Sequence, residues 1–302
     1  MVTAVHRILL PVLLTAVSTT TAEINLETAF RSLGPGALGI PVETRELNFP
    51  THHPQGMTAV GDRFFLSSVE VIDRAAEKGT GHLFEMDRHG SLLRSITLGE
   101  GPLYHPGGID FDGTNIWVSV AAYRPNSAAI VYAVNPETME SREVFRFDDH
   151  LGAVSHFPEQ RLLIGVNWGS RRFYRWKTEQ RDGEWIVPDP AHPDTQINGN
   201  HYIDYQDMQR VPGTSFLLCA GLRTYNEPGR QLPSLHLGGI DLVHISELRA
   251  QYQLPMPLRP SGRRAWTQNP FFVESFDQGL RFFFIPEDNN SFMHIFEVDV
   301  QK

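Results

Sequence analysis

Short apolar runs rich in aromatic and β-branched side chains recur along the chain, and turn residues separate them. Runs such as Phe64-Phe-Leu-Ser, Ile116-Trp-Val-Ser, Leu162-Leu-Ile-Gly, Phe216-Leu-Leu-Cys and Phe282-Phe-Phe-Ile read as strands rather than helices. Each follows a segment with a similar start: His53-Pro-Gln-Gly-Met, His105-Pro-Gly-Gly-Ile, His150-Leu-Gly-Ala-Val, His201-Tyr-Ile-Asp-Tyr and Asn269-Pro-Phe-Phe-Val. A turn rich in Gly, Asp, Asn and Pro lies between the two runs, as in a hairpin. A third run follows in every unit. The first four units then add a fourth: Leu92 to Leu98, Arg142 to Phe147, Glu184 to Val187 and Gln251 to Leu254.

The chain ends at Lys302 before a fourth run can complete the fifth unit, and Val42 to Phe49 offers the missing strand. Five four-stranded units predict an all-β fold: a five-bladed β-propeller in one domain, residues 23–302, closed by that N-terminal strand. The blades are expected at about 53–98, 105–147, 150–187, 201–256 and 269–300 plus 42–49. The near-constant unit and the missing strand both disfavour a β-sandwich. Little helix is expected. Candidates are Ile245 to Gln253, with Ser246 as a cap, and a short turn within Asn25 to Gly39.

With 41% hydrophobic and 20% charged residues among 302, the composition is globular and excludes disorder, collagen-like repeats and coiled coils. A net charge of -9 argues against a nucleic-acid partner. Residues 1–22 read as a signal peptide, with a basic start, the apolar stretch Ile8 to Val17 and small residues up to Ala22. No later stretch is long enough to span a membrane, so a secreted or extracytoplasmic protein is expected. The single cysteine, Cys219, rules out an intramolecular disulfide and sits in an apolar run as a buried, inert thiol. Asn289-Asn290-Ser291 is an N-glycosylation sequon on Asn289 if the host is a eukaryote.

In a propeller the first strand of each blade starts at the mouth of the central channel. His53, His105, His150 and His201, with Asn269, are therefore expected to ring that mouth. Such imidazoles can serve as general acid or base. They can equally be turn residues, or ties from one blade to the next. The ring is chemically able to hold a divalent metal, but no HExxH or CxxC motif supports one, so no cofactor is assigned. The loops after the second strands carry Glu70, Tyr123, Arg124, Asn167, Trp168, Arg171, Arg223 and Asp288 to the same face. That mixture suits a small carboxylate or polyhydroxy ligand, with Arg holding the anion and an aromatic ring stacking on it; the bland alternative is a solvated rim of paired charges. Asp110, Asp148, Asp149, Asp204 and Asp207 lie on or before first strands and are placed to orient the histidines or hold the ring shut. No GxSxG elbow, Walker loop or GxGxxG motif occurs.

His105-Pro-Gly-Gly-Ile-Asp-Phe-Asp-Gly-Thr-Asn-Ile-Trp-Val, Tyr123-Arg-Pro-Asn-Ser, Asp149-His150 and Asn167-Trp-Gly-Ser-Arg-Arg-Phe-Tyr together resemble a family of secreted propeller-like proteins of fungi and bacteria. That family has no established activity, so the resemblance implies fold and export but no catalytic residues. More loosely, the architecture is similar to lactonase and gluconolactonase-type propellers and to fungal propellers that act as cyclases. Those propellers commonly hold Ca with Asn, Asp and Glu, whereas His occupies the ring here. The expected function is binding of a small organic ligand at the channel mouth, and action on it, through the histidine ring and flanking arginines. The alternatives are a non-catalytic, lectin-like or partner-binding module and a cyclase or isomerase. N-terminal sequencing of protein exported by a secreting host should read from Glu23; an intact Met1 start on the exported chain would show that the leader is not removed.

Overall fold

A computed structural model describes residues 24–200, 202–226, 229, 234–259, 265–276 and 279–300. The signal segment lies outside these residues. The fold is all-β, with its strands in curled sheets, as in a β-propeller. The described helical elements are one short helix, Leu26–Ser32, and two 3-10 turns. Asn25 caps that helix by accepting from the Thr28 amide at 2.9 Å, and Ala29 and Phe30 anchor it in the core.

The strands group into antiparallel units that follow the sequence. The first unit comprises His53–Val60, Arg63–Asp73, Lys78–Asp87 and Leu92–Leu98, and the second Leu103–Phe111, Ile116–Ala122, Ala129–Val134 and Ser141–Phe147. The third contains Ala153–Phe157, Leu162–Val166, Arg172–Lys177 and Asp194–Ile197; a single parallel bridge, Ala153 to Gly108, joins it to the second. The fourth contains Asp204–Arg210, Phe216–Tyr225, Leu235–His244 and Arg249–Met256. In the fifth, Phe271–Phe276, Gly279–Phe284 and Phe292–Asp299 are joined by Glu43–Glu46, which pairs antiparallel from Glu43↔Ile295 to Glu46↔Phe292.

Two local expectations are corrected. Ile245 to Gln253 is not helical: it forms a turn followed by the strand Arg249–Met256. Ala250, Tyr252 and Leu254 alternate with exposed polar residues, a period of two that outweighs the weak helix signal. The fourth strand of the third unit is Asp194–Ile197, paired with Arg172–Arg175, and not Glu184 to Val187. Glu184–Ile186 instead folds back on Glu179–Arg181 as a small hairpin whose turn, Asp182-Gly183, has positive φ at both residues.

Apolar side chains fill the spaces between neighbouring units. Phe65, Leu83, Ile109 and Val118 join the first to the second, Trp117, Phe145, Leu163 and Trp176 the second to the third, and Phe157, Phe173, Met208 and Cys219 the third to the fourth. Leu218, Leu242, Phe271 and Phe282 join the fourth to the fifth, and Phe64, Met57, Phe283 and Ile295 join the fifth to the first. Cys219 is buried and unbridged.

The inner strands meet around one carboxylate. Asp207, fully buried, accepts from the backbone amides of Met57 (3.0 Å), Ile109 (3.1 Å), Phe271 (3.3 Å) and Met208 (3.0 Å), which come from the first, second, fifth and fourth units. The strands approach so closely that a Cβ on Gly56 would lie 2.5 Å from the Ile109 amide nitrogen, and one on Gly108 2.7 Å from Asp207 Cα. Burial pushes the Asp207 pKa up, while the four amides, all donors, favour the charged form. Asp207→Asn keeps the shape but must turn an NH₂ group toward two N–H donors. We expect a loss of about 3–5 kcal/mol in urea unfolding, since breaking a buried charge network carries that cost. A loss below about 1 kcal/mol would show that these amide bonds do not hold the inner strands.

Candidate functional site

The amide aimed at Asp207 gives a common register for the inner strands. Met57 and Ile109 lie four residues after His53 and His105, and the Ala153 to Gly108 bridge puts His150 at the matching distance from Val154. In the fourth and fifth units the same count gives Asp204 and Thr267. These two, rather than His201 and Asn269, hold the equivalent place. His201 itself lies outside the described residues.

Three of the ring histidines come together at this end of the molecule, each in a different state. His53 opens its strand, and its Nδ1 donates to Asp288 Oδ1 at 2.8 Å. Asn269 Nδ2 donates to the same oxygen at 3.2 Å. A carboxylate partner requires the proton on Nδ1, which leaves Nε2 as the basic nitrogen. Buried His150 donates from Nδ1 to the Ala122 carbonyl at 2.9 Å, so it ties the third unit to the second. Its amide is held by Asp149 Oδ1, and Asp149 Oδ2 accepts from the Tyr174 hydroxyl at 2.7 Å.

His105 is buried between these two. Its ring stacks on Tyr123 at 4.1 Å and lies 6.0 Å from the His150 ring. No described residue bonds to either of its ring nitrogens. Burial, followed by the neighbouring His150 and His53, pushes its pKa well below the usual histidine value, so the ring is neutral near pH 7. His156 makes the contrast clear: equally buried, it donates from Nδ1 to Asp112 at 2.7 Å and meets Thr178 Oγ1 at 3.0 Å, while Trp117 also donates to Asp112. His156 is a satisfied core residue. His105 carries unspent hydrogen-bonding capacity, and leaving such a buried group unbonded costs about 1–3 kcal/mol.

The loops bring some of the expected partners here and not others. Trp168 meets the His150 ring edge-on at 4.9 Å, lies 5.9 Å from Tyr123 and is 38% exposed. Arg74 covers the Tyr123 ring at 4.0 Å. Asn167 is buried, and its Oδ1 accepts from the Arg172 amide at 2.8 Å, which shapes the Trp168 turn. Arg171 and Arg223 converge on Asp204, the first in a direct ion pair and the second at 3.9 Å. Burial and then the Arg223 charge lower the Arg171 pKa. Arg124 does not join them; it pairs with Glu77 at 2.8 Å beside a different cavity, of about 520 Å³. Glu70 also stands apart, 3.6 Å from His82. Asn289 is exposed at positive φ, and its sequon partner Ser291 is buried, donating to the Glu287 carbonyl at 2.7 Å.

Between the first, fourth and fifth units opens a polar cavity of about 730 Å³. His53, Asp204, Gln206, Arg223, His236 and Asn269 are among the residues lining it. His236, Gln206 and the ring position of Asp204 were not anticipated from sequence. Asp204 reads in the sequence as an acidic residue near a first strand, and the ring position falls on it, three residues after His201.

The fold and this mouth define an all-β, propeller-like protein with a polar cavity. Residues 13–301 match a family of unknown function (DUF6454), and the chain belongs to that family. No curated protein matches the sequence. Among solved structures, it is similar to a hypothetical protein from Leishmania major, with 10% identity, a TM-score of 0.49, and coverage of 86% of this chain and 90% of that one. It is also similar to MPT-4, a mannose phosphorylase from Leishmania mexicana in complex with phosphate ion, at 8% identity and a TM-score of 0.47, covering 86% and 88%. Hydrazine synthase from Kuenenia stuttgartiensis matches at 11% identity and a TM-score of 0.39, over 79% of this chain and 57% of that one.

His105→Phe retains the stack on Tyr123 and removes the titrating ring. A histidine whose folded pKa lies below its unfolded value of about 6.5 destabilises the fold as pH falls through that unfolded value. Relative to the variant, the parent should therefore lose up to about 1.4 kcal/mol per pH unit below about pH 6.5, read from urea midpoints. A difference between the two proteins that does not change with pH would show that His105 is not held neutral.

Proposed function

We propose that this chain is an exported, five-bladed propeller, closed by its Val42 to Phe49 strand, that binds a small organic anion or its lactone at the channel mouth and acts on it by proton transfer at His53. Support for the closed ring comes from the pairing of Glu43–Glu46 with the fifth unit and from the apolar packing of the fifth unit on the first. The observation that carries the functional reading is the His53–Asp288 pair beside a cavity that also holds Asp204 and Arg223. Asp288 positions the imidazole and stabilises it when it takes a proton. Arg223 and Arg171 share the single Asp204 carboxylate, and the guanidinium charge in excess of it suits a carboxylate or a developing oxyanion.

In lactone opening, His53 Nε2 would take a proton from the attacking water as its oxygen bonds to the carbonyl carbon. The ring C–O bond then breaks, and the same nitrogen returns the proton to the leaving oxygen. The proton count balances without a metal or redox partner. A second, lectin-like reading draws on Trp168, 38% exposed and lining a cavity of about 440 Å³ that also includes Arg171, with Tyr123 5.9 Å behind it.

Thermal-shift screening of small hydroxycarboxylates, their lactones and simple sugars separates these readings. Hits are expected among carboxylates and lactones. Arg223→Ala should weaken them about tenfold or more while the unliganded melting temperature stays within about 2 °C. His53→Ala should abolish turnover of a lactone hit and leave its binding within a few fold. Hits confined to sugars, and lost in Trp168→Ala instead, would overturn the anion reading.

A further inference from the structure

The tandem histidines His52 and His53 face different partners. His52 adopts a left-handed backbone conformation, φ 54°, which is uncommon for a residue with a side chain. Its carbonyl accepts from the Asn289 amide at 2.6 Å, fixing the turn. With His53 engaged by Asp288, the His52 ring lies instead on the first unit, stacked 4.9 Å from the His82 ring with only 13° between the planes. Phe84 floors both, 5.2 Å from His82 and 6.3 Å from His52.

Glu70 completes the group. One ligand atom from each of His52, Glu70 and His82 lies within 4.8 Å of the other two. The three residues come from a turn and from two neighbouring strands, Arg63–Asp73 and Lys78–Asp87, so the positions of two of them are set by the sheet. His82 Nε2 is buried and makes no hydrogen bond, while Glu70 Oε2 sits 3.6 Å away, beyond bonding distance. Two imidazoles and a carboxylate therefore gather three metal-type donor groups at one place, with the His82 nitrogen left without a hydrogen bond.

We propose that His52, Glu70 and His82 form a binding site for a divalent transition metal of the zinc class. Two nitrogen donors and one carboxylate suit Zn(II), Co(II) or Ni(II) and fall short of the oxygen shell that Ca or Mg requires. Tetrahedral bonds of about 2.0–2.2 Å place ligand atoms roughly 3.4 Å apart, so the group must contract by about 1.4 Å at most, and the His52 ring must turn out of its stack on His82 for both in-plane lone pairs to meet one ion. Glu70, 44% exposed, has the freedom to move that far. Its exposed side also leaves the fourth coordination position to water. The Phe84 floor keeps solvent from one side of the site. This site is separate from the His53 cavity and does not depend on the reading given for it.

Untagged, chelator-treated full-length protein titrated with Co(II) tests the assignment. One equivalent should bind and give visible d–d absorption of a low-coordinate site, displaced by Zn(II). Glu70→Gln, at a half-exposed position that does not threaten folding, and His82→Ala should each weaken binding by about a hundredfold or more, since even outer-shell losses cost 10–100-fold. His192→Ala, at a histidine 81% exposed elsewhere on the surface, should change nothing. Absence of stoichiometric Co(II) binding, or binding unchanged in both Glu70→Gln and His82→Ala, would overturn the site. His53→Ala should leave the Co(II) spectrum unaltered, which keeps this outcome distinct from the fate of the anion cavity.

Discussion

Everything at the mouth of this molecule depends on a carboxylate that no solvent reaches. Asp207 collects amides from four of the five units, and the glycines beside it let the inner strands meet backbone to backbone. A buried charge is tolerated only with such complete satisfaction. Further along the same strands, Asp110 accepts from Ser155 and from the Arg210 amide, with its pKa pushed up to about 7 by burial, and Gln209 exchanges two hydrogen bonds with Val273. The inner strands are therefore joined in tiers, and at the level of Gly56 and Gly108 the Asp207 carboxylate leaves no room between them for a further side chain. The His53 cavity lies before that level on the inner strands, and a second cavity of about 770 Å³, lined by Asp110, Gln209 and Arg210, lies beyond it.

The repeat was readable because each unit alternates apolar runs with turn residues, a pattern that packing between sheets imposes on every unit. The register was legible in three units, where His53, His105 and His150 each stand four residues before the matching inner-strand residue. In the fourth and fifth units Asp204 and Thr267 hold that place, three residues after His201 and two before Asn269, and the local sequence marks neither. In the third unit the inserted Glu179–Ile186 hairpin supplied a run of plausible strand residues where the chain had not yet returned to the sheet. Side-chain partners were less legible still. Nothing in the local sequence distinguishes His156, with both nitrogens bonded, from His105, with neither, because the difference lies in Asp112 and Thr178, which follow the ends of other strands. The same holds for Arg124, which sits on the expected loop but turns to Glu77.

Two residues adjacent in sequence show how the backbone divides chemistry. With φ 54° at His52, the chain turns so that one imidazole lies over Phe84 and the next is hydrogen-bonded to the fifth unit. A single left-handed residue costs of order 1–3 kcal/mol in strain and persists only where the surroundings fix it. Here the Asn289 amide and the Thr51 contacts to Asn289 and Ser291 do so. The strain is thus held at the junction of the first and fifth units, next to both candidate sites.

That junction links architecture to chemistry. His53 comes from the first unit, Asp288 and Asn269 from the fifth, and Asp204 and Arg223 from the fourth, so no single unit contains the cavity. The pair with the clearest acid–base geometry spans the contact between the two ends of the sheet order, where Glu43–Glu46 also joins the fifth unit. Loss of that N-terminal strand would loosen the fifth unit and with it the Asp288 carboxylate that sets the His53 tautomer. The His53 cavity is therefore tied to how the Glu43–Glu46 strand is held, while the buried Asp207 tier gives the rim loops a rigid base.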